Sequence, residues 1–277
     1  MIPAAFAYRR ASSVDEVLDL LGEYGDDAKL LAGGHSLLPL MKLRLAAPEV
    51  LIDIATLPGL SYVRLAGDTV EIGALTRYHD LHYDSVLLQH APLLAHAAGV
   101  VGDPQVRHRG TIGGSVAHAD PAADLPAALL ASDAVFVLVG PGGTREVPAT
   151  EFFLGPFTTP LAEDELLTEI KVPRQTEVGW GFEKFTRRAF DWAIVGVAAV
   201  GQSVALINMG GTPVRAAAVE AALAGGAGHA EAAQLAAEGT SPLDESHASA
   251  DYRRHLARVL TARALAQVAG ETRVGLG

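Results

Sequence analysis

The chain has 277 residues, 49% hydrophobic and 19% charged, which is ample for the buried cores of two or three modest domains and excludes wholesale disorder. Its 21 basic and 32 acidic residues leave a net charge of −11, a poor match for nucleic acid or an anionic membrane surface. The absence of cysteine excludes disulfides, thiolate zinc sites, cysteine nucleophiles and any iron–sulfur cluster held by this chain alone. No segment approaches the roughly 18 uninterrupted apolar residues of a membrane span. No basic stretch precedes an apolar one at the start, so a soluble, cytoplasmic protein without a signal peptide is expected.

Ser13-Val14-Asp15-Glu16 reads as a capping box, with Val17, Leu18 and Leu21 following at helical spacing up to Gly22 or Gly25. Residues 28–32 form a short apolar run that enters Gly33-Gly34 as a buried strand enters a loop. A short helix over 36–45 and a second strand over 50–54 complete a small β-α-β-type unit. Pro58-Gly59 marks a break. Beyond it, 62–65 and 69–72 flank Gly67-Asp68 as a hairpin, and 76–99 is helical in pattern, broken at Pro92. Residues 101–124 show little periodicity, a length that is long for an idle loop. A helix is predicted over 125–131, with strands over 134–139 and 166–172. From about Gln175, strand-like stretches at 181–188 and 193–209, turning near Gly201-Gln202, give way to alanine-rich helices at 215–224, 229–238 and 250–269, an α+β pattern. The expected units are 1–56, 57–175 and 176–277.

Two segments share one pattern: Leu31-Ala32-Gly33-Gly34-His35-Ser36-Leu37 and Thr111-Ile112-Gly113-Gly114-Ser115. Paired glycines let the backbone bend sharply, so several N–H groups can face one anion. The first pair also leads into a helix start, where the dipole adds to the attraction. A diphosphate suits two such loops. The charges around the first are Lys29, Lys42 and Arg44, and those around the second are Arg107 and Arg109 beside His108 and His118, with no acid in either island. Against this, a Gly-Gly pair is commonly only a turn, and neither loop carries a Rossmann or P-loop fingerprint. His79-x-x-His82 lacks a third ligand nearby, which argues against zinc.

At full length, Ala32-Gly33-Gly34-His35-Ser36-Leu37-Leu38-Pro39-Leu40-Met41-Lys42-Leu43-Arg44, then Asp103-Pro104-Gln105-Val106-Arg107 leading to Thr111-Ile112-Gly113-Gly114, resemble the FAD-binding medium subunits of molybdenum hydroxylases. The likeness is strongest to the medium subunit of carbon monoxide dehydrogenases, and the same module lies within xanthine dehydrogenases. It runs almost end to end, from Met1-Ile2-Pro3 to Phe182-Glu183-Lys184-Phe185 and beyond. The resemblance implies an α+β, vanillyl-alcohol-oxidase (PCMH)-type FAD-binding fold in two subdomains, plus a C-terminal domain of sheet and helices. It implies non-covalent FAD between the first two units, its diphosphate held by Leu31, Ala32, Gly33, Gly34, His35, Ser36 and Leu37 and by Thr111, Ile112, Gly113, Gly114 and Ser115. Asp124 matches an acid on the cofactor's sugar-like hydroxyls, and Val101, Leu167 and Lys184 match positions that approach the flavin. Taken without the resemblance, Asp124 is a first-turn acid and Lys184 an exposed strand lysine. Trp192 falls where the carbon monoxide enzyme has a tyrosine near the ring; here it either covers the ring or packs in the core.

No nucleophile–base pair stands out, and flavin chemistry needs none. The resemblance implies a flavoprotein oxidoreductase subunit that takes electrons from [2Fe-2S] clusters in a small partner subunit and passes them to a terminal acceptor. Substrate is oxidised at the molybdenum cofactor of a large subunit, the whole being a dimer of heterotrimers. The alternatives are a self-contained flavin oxidase with FAD covalently attached to His35, and a flavin-free interaction protein.

Overall fold

The computed structural model describes residues 2–271. Met1 of the opening triplet, and the tail 272–277 of the expected third unit, lie outside the described residues. The first unit contains β1 (Ala7–Arg10), α1 (Val14–Tyr24), β2 (Ala28–Leu31), α2 (Leu37–Leu43) and β3 (Val50–Asp53), with a parallel sheet in the order β1-β3-β2. Strand β1 goes beyond the two strands read from the pattern. It is exposed along its whole length, so no alternation betrays it. Ser13 caps α1 by accepting from the Glu16 N–H at 3.1 Å, an interaction worth about 1 kcal/mol. The reciprocal half of the expected capping box is displaced by one residue: the Glu16 carboxylate accepts from the N–H and hydroxyl of Ser12, not from Ser13. The hydrophobic side of α1 buries Val17 and Leu21 against Val50 and Ile52.

The second unit starts with the hairpin β4 (Val63–Ala66) and β5 (Thr69–Gly73). The long helical pattern then divides three ways, into α3 (Tyr78–Tyr83), α4 (Ser85–His90) and α5 (Pro92–Gly99). The break without a sequence signal is at Asp84, whose carboxylate accepts from the N–H groups of Val86 and Leu87 and so starts a new helix. The aperiodic stretch is likewise not a bare loop. It holds α6 (Pro104–Arg107) and α7 (Ile112–His118), before α8 (Asp124–Ala131). Then come β6 (Val135–Gly140), β7 (Gly143–Pro148), α9 (Ala149–Phe152) and β8 (Leu166–Pro173). The sheet is antiparallel in the order β4-β5-β8-β6-β7. Strand β7 is polar and exposed, which hid it from the pattern.

The last unit comprises β9 (Trp180–Phe185), β10 (Val195–Val200), β11 (Ser203–Ile207), β12 (Val214–Arg215), α10 (Ala217–Ala224), α11 (His229–Ala232) and α12 (Ala250–Val268). Its sheet is antiparallel in the order β12-β11-β10-β9, and the turn at Gly201-Gln202 joins β10 to β11 as expected. Arg215 ends a strand instead of opening a helix, and α11 stops at Ala232, short of the expected 238. Both faces of β10 and β11 are covered. Val195, Val197 and Ala199 pack with α10 and α12, while Ala198, Ala205 and Ile207 join the core of the second unit. Burial on two faces explains why these strands read as continuous apolar runs.

Candidate functional site

The two diglycine segments meet. A Cβ on Gly33 would fall 2.3 Å from the Arg109 carbonyl oxygen and 2.9 Å from Gly110 Cα, so only glycine permits this approach. Gly34 holds φ at +75°, a region costly for residues with a Cβ. Gly33 and Gly110 both line a cleft of about 420 Å³, well within the ordinary size of a ligand site. Its walls include Leu31, Ala32, Gly33, Gly34, His35, Ser36 and Leu37 from the first segment and Thr111, Gly113 and Gly114 from the second. Leu167 lines it as well, with Lys29, Leu161 and Tyr78.

The two segments differ in what they offer an anion. Among the described residues, the N–H groups of 33–37 meet no acceptor, so five donors are open at the first bend. The second is not a free bend but the first turn of α7. There the N–H of Ile112 donates to Thr76 O and that of Gly113 to Ala74 O, while those of Gly114 and Ser115 donate to the Thr111 hydroxyl and carbonyl. The expectation that both loops present free N–H groups is therefore corrected. The second supplies a close-fitting wall, because its donors are already used to seat α7 against the neighbouring turn.

The basic islands disperse in a similar way. Lys29 and His118 line the cleft, but Arg44 donates to Ile2 O and Arg107 to the carbonyls of Val101 and Gly102. Burial pushes the His118 imidazole down, which favours its neutral form. The cleft is not acid-free either, since Glu163 and Glu165 arrive from a distant segment. Hydrogen bonding with the Asp26 carboxyl raises the Glu163 carboxyl. Glu165 is occupied by Arg145 at 2.6 Å.

Five of the expected residues stand outside the cleft lining: Val101, Ile112, Ser115, Asp124 and Lys184. Ile112 points into the core at 0% exposure. Asp124 and Lys184 form a cluster of their own, with Lys184 Nζ 2.7 Å from Asp124 Oδ2 and 3.2 Å from the Val100 carbonyl. Lys184 is thus not an exposed strand lysine. Burial pushes the Asp124 carboxyl up to about 6, held back by the Lys184 charge and hydrogen bond. Its other oxygen, Oδ1, is buried and meets no partner among the described residues.

Tyr78 connects the two regions. It lines the cleft and packs on Gly110, and its phenol is pushed up to about 12, first by burial and further by the Asp124 charge, against a hydrogen bond from Ser115. The sequence offered no signal for it. Trp192 is 58% exposed and Phe190 64% exposed, which excludes packing of Trp192 in the core. His79 stacks on His108 and His82 bonds to Ala95 O.

Residues 4–175 match the family described as FAD binding domain in molybdopterin dehydrogenase, and residues 180–268 match the CO dehydrogenase flavoprotein C-terminal domain. The chain is 46% identical over 279 residues to the carbon monoxide dehydrogenase medium chain of Hydrogenophaga pseudoflava, covering 96% of this chain and 97% of that one. It is 38% identical over 282 residues to the 6-hydroxypseudooxynicotine dehydrogenase complex subunit alpha of Paenarthrobacter nicotinovorans, covering 96% and 95%. A solved structure of the Hydrogenophaga pseudoflava carbon monoxide dehydrogenase, lacking the Mo-pyranopterin moiety of its cofactor, superposes with a TM-score of 0.94 over 98% of this chain and 99% of that one.

Proposed function

Since the chain belongs to the FAD-binding medium subunits of carbon monoxide dehydrogenase-like molybdenum hydroxylases, we propose that it is the electron-transfer subunit of such a complex. In this reading it takes electrons from iron–sulfur clusters of a small partner subunit and delivers them to a terminal acceptor. A large subunit with the molybdenum cofactor carries out substrate oxidation, and the assembly is a cytoplasmic dimer of heterotrimers. Among the described residues no helix is long and apolar enough to cross a membrane. The relatives differ in the substrates their names carry, so the substrate belongs to the partner that oxidises it.

The observation that carries the reading is the contact of Gly33 with Arg109 and Gly110, which brings both diglycine segments onto one cleft. The residues fit FAD. The open N–H groups of 33–37 would receive its diphosphate, and the glycine pair of α7 would let that group lie against backbone. The unpartnered Oδ1 of Asp124 is an acceptor suited to a cofactor hydroxyl, with Lys184 balancing its charge. Val101 and Leu167 would border the cofactor, and Ser115 would hold the Tyr78 phenol beside it. When bound, FAD would supply the redox chemistry. The protein's part is to bind it non-covalently, orient it and exclude water.

Acid precipitation of the purified holoprotein tests the attachment. Yellow colour released to the supernatant is expected; colour retained in the pellet, and lost in His35→Ala, would establish the covalent oxidase instead. Co-purification of an iron–sulfur chain and a molybdenum-cofactor chain is the expected partner result. Failure to take up FAD at all would sink the reading in favour of a flavin-free interaction protein.

A further inference from the structure

Two side chains of the last unit reach into one short segment. Asn208, just after β11, holds its backbone in the left-handed region with φ at 61°. Its N–H donates to the Pro121 carbonyl at 2.9 Å, and its side-chain Nδ2 donates to the Ala193 carbonyl at 2.8 Å. Arg253 of α12, only 2% exposed, donates through Nη1 to the next carbonyl, that of Ile194, at 2.6 Å, and pairs with Glu245 through Nη2. The Ile194 N–H in turn donates to Phe185 O at 2.8 Å. The outgoing limb of the β9–β10 loop is thus fastened from three directions.

The segments so fastened are those that flank the buried ion pair. Pro121 lies three positions before Asp124, and the loop begins two residues after Lys184, which pairs in register with Gly196 of β10. The loop itself holds Phe190 and Trp192 out toward solvent, with Phe190 at a φ of 68°. Large rings kept in water on a clamped loop are preorganised for contact. The residue type at 208 is dictated by both of its tasks. Glycine and asparagine tolerate the left-handed region best, and of these only asparagine carries a donor for Ala193. An aspartate there would set acceptor against acceptor.

We propose that Asn208, supported by Arg253, is a positioning residue: it fixes the Phe190–Trp192 loop relative to the Asp124–Lys184 pair and so sets the surroundings of the flavin ring. The flavin part of this statement rests on the reading that FAD reaches that pair. The clamp itself does not.

The test uses the full chain, loaded with FAD and free of it, in the variants Asn208→Gly, Trp192→Ala and their double. Hydrogen exchange of the amides of 187–193 is read on both forms, and flavin emission on the loaded one. For Asn208→Gly, loop exchange at least tenfold faster is expected, with FAD content unchanged. Its flavin emission should change at least twofold in the direction set by Trp192→Ala, and the double variant should match Trp192→Ala alone, as residues acting through one contact do. Wild-type exchange in Asn208→Gly overturns the clamp, even if its Tm falls. Emission changes that add in the double variant overturn the link to the flavin. A wild-type chain that takes up no FAD overturns the proposed function, while the exchange data still decide the clamp. Should Asn208→Gly not fold, Asn208→Asp, which keeps size and left-handed tolerance, is read by the same criteria.

Discussion

Lys184 Nζ lies 2.7 Å from Asp124 Oδ2, and the two side chains, 12% and 4% exposed, come from a strand and a helix 60 positions apart. A buried carboxylate keeps its charge only where a cation compensates the loss of water. Removing the cation alone therefore costs more than removing both. Lys184→Met is expected to destabilise by about 3–5 kcal/mol at pH 8, and the double variant Lys184→Met, Asp124→Asn by clearly less. Urea unfolding of the two variants checks this, and equal losses would refute it.

The pH dependence of stability holds two opposed contributions. Burial raises the Asp124 carboxyl from 3.8 to about 6. Between roughly pH 4 and 6 the folded chain then binds this proton more tightly than the unfolded one, so this contribution falls as pH rises. His96, packed beside Trp180 and Phe182, is pushed by burial from 6.5 down to about 4, with His82 adding to the shift. The unfolded chain binds that proton better, so this contribution rises between roughly pH 4 and 6.5. Relative to the wild type, Asp124→Asn should make stability climb more steeply with pH across that window, and His96→Leu should make it climb less or decline. Urea midpoints at half-unit steps of pH distinguish the two signs.

The contact between the glycine segments makes a steric prediction. A methyl on Gly33 meets backbone atoms of Arg109 and Gly110, which cannot rotate aside. Gly33→Ala should force the segments apart at a cost of about 1–3 kcal/mol, and the flavin-to-protein absorbance ratio after gel filtration should fall at least severalfold. Gly142→Ala is the control. Among the described residues nothing but its chain neighbours lies within 4 Å of a Cβ there, and its φ is not in the left-handed region, so a wild-type ratio is expected.

Gly22 stands within α1, and among the described residues a methyl group at this position would meet nothing within 4 Å beyond the helix's own backbone. Alanine loses less conformational freedom in a helix than glycine does. Gly22→Ala is expected to stabilise the chain by about 0.5–1 kcal/mol, read as a rise in Tm with flavin content unaltered.

Much of the fold could be read from the chain, for reasons that are local. The Ser13 cap, the hairpin around Gly67-Asp68, the apolar runs of β2, β3, β6 and β8 and the turn at Gly201-Gln202 each depend on residues close in sequence. The missed elements lacked such signals. Strands β1 and β7 are exposed and polar, and α7 is a glycine-containing turn of helix held by contacts to Thr76 and Ala74. At the site, the glycine pairs were evident, but Tyr78, Glu163 and Glu165 were not, because each reaches the cleft from a segment with no motif of its own.

The sequence by itself determined the glycine-rich bends, the alternation of buried runs and turns, and a family likeness that spans the chain. Backbone conformation and amphipathic spacing are short-range properties, so they are written where they act. Tertiary structure alone decided which atoms those features meet. It turned Arg44 and Arg107 away to carbonyls, left the donors of 33–37 open while closing those of α7, paired Lys184 with Asp124, and held Trp192 in solvent. Hydrogen bonds and ion pairs act over a few ångströms, and only packing brings groups tens of residues apart within that distance.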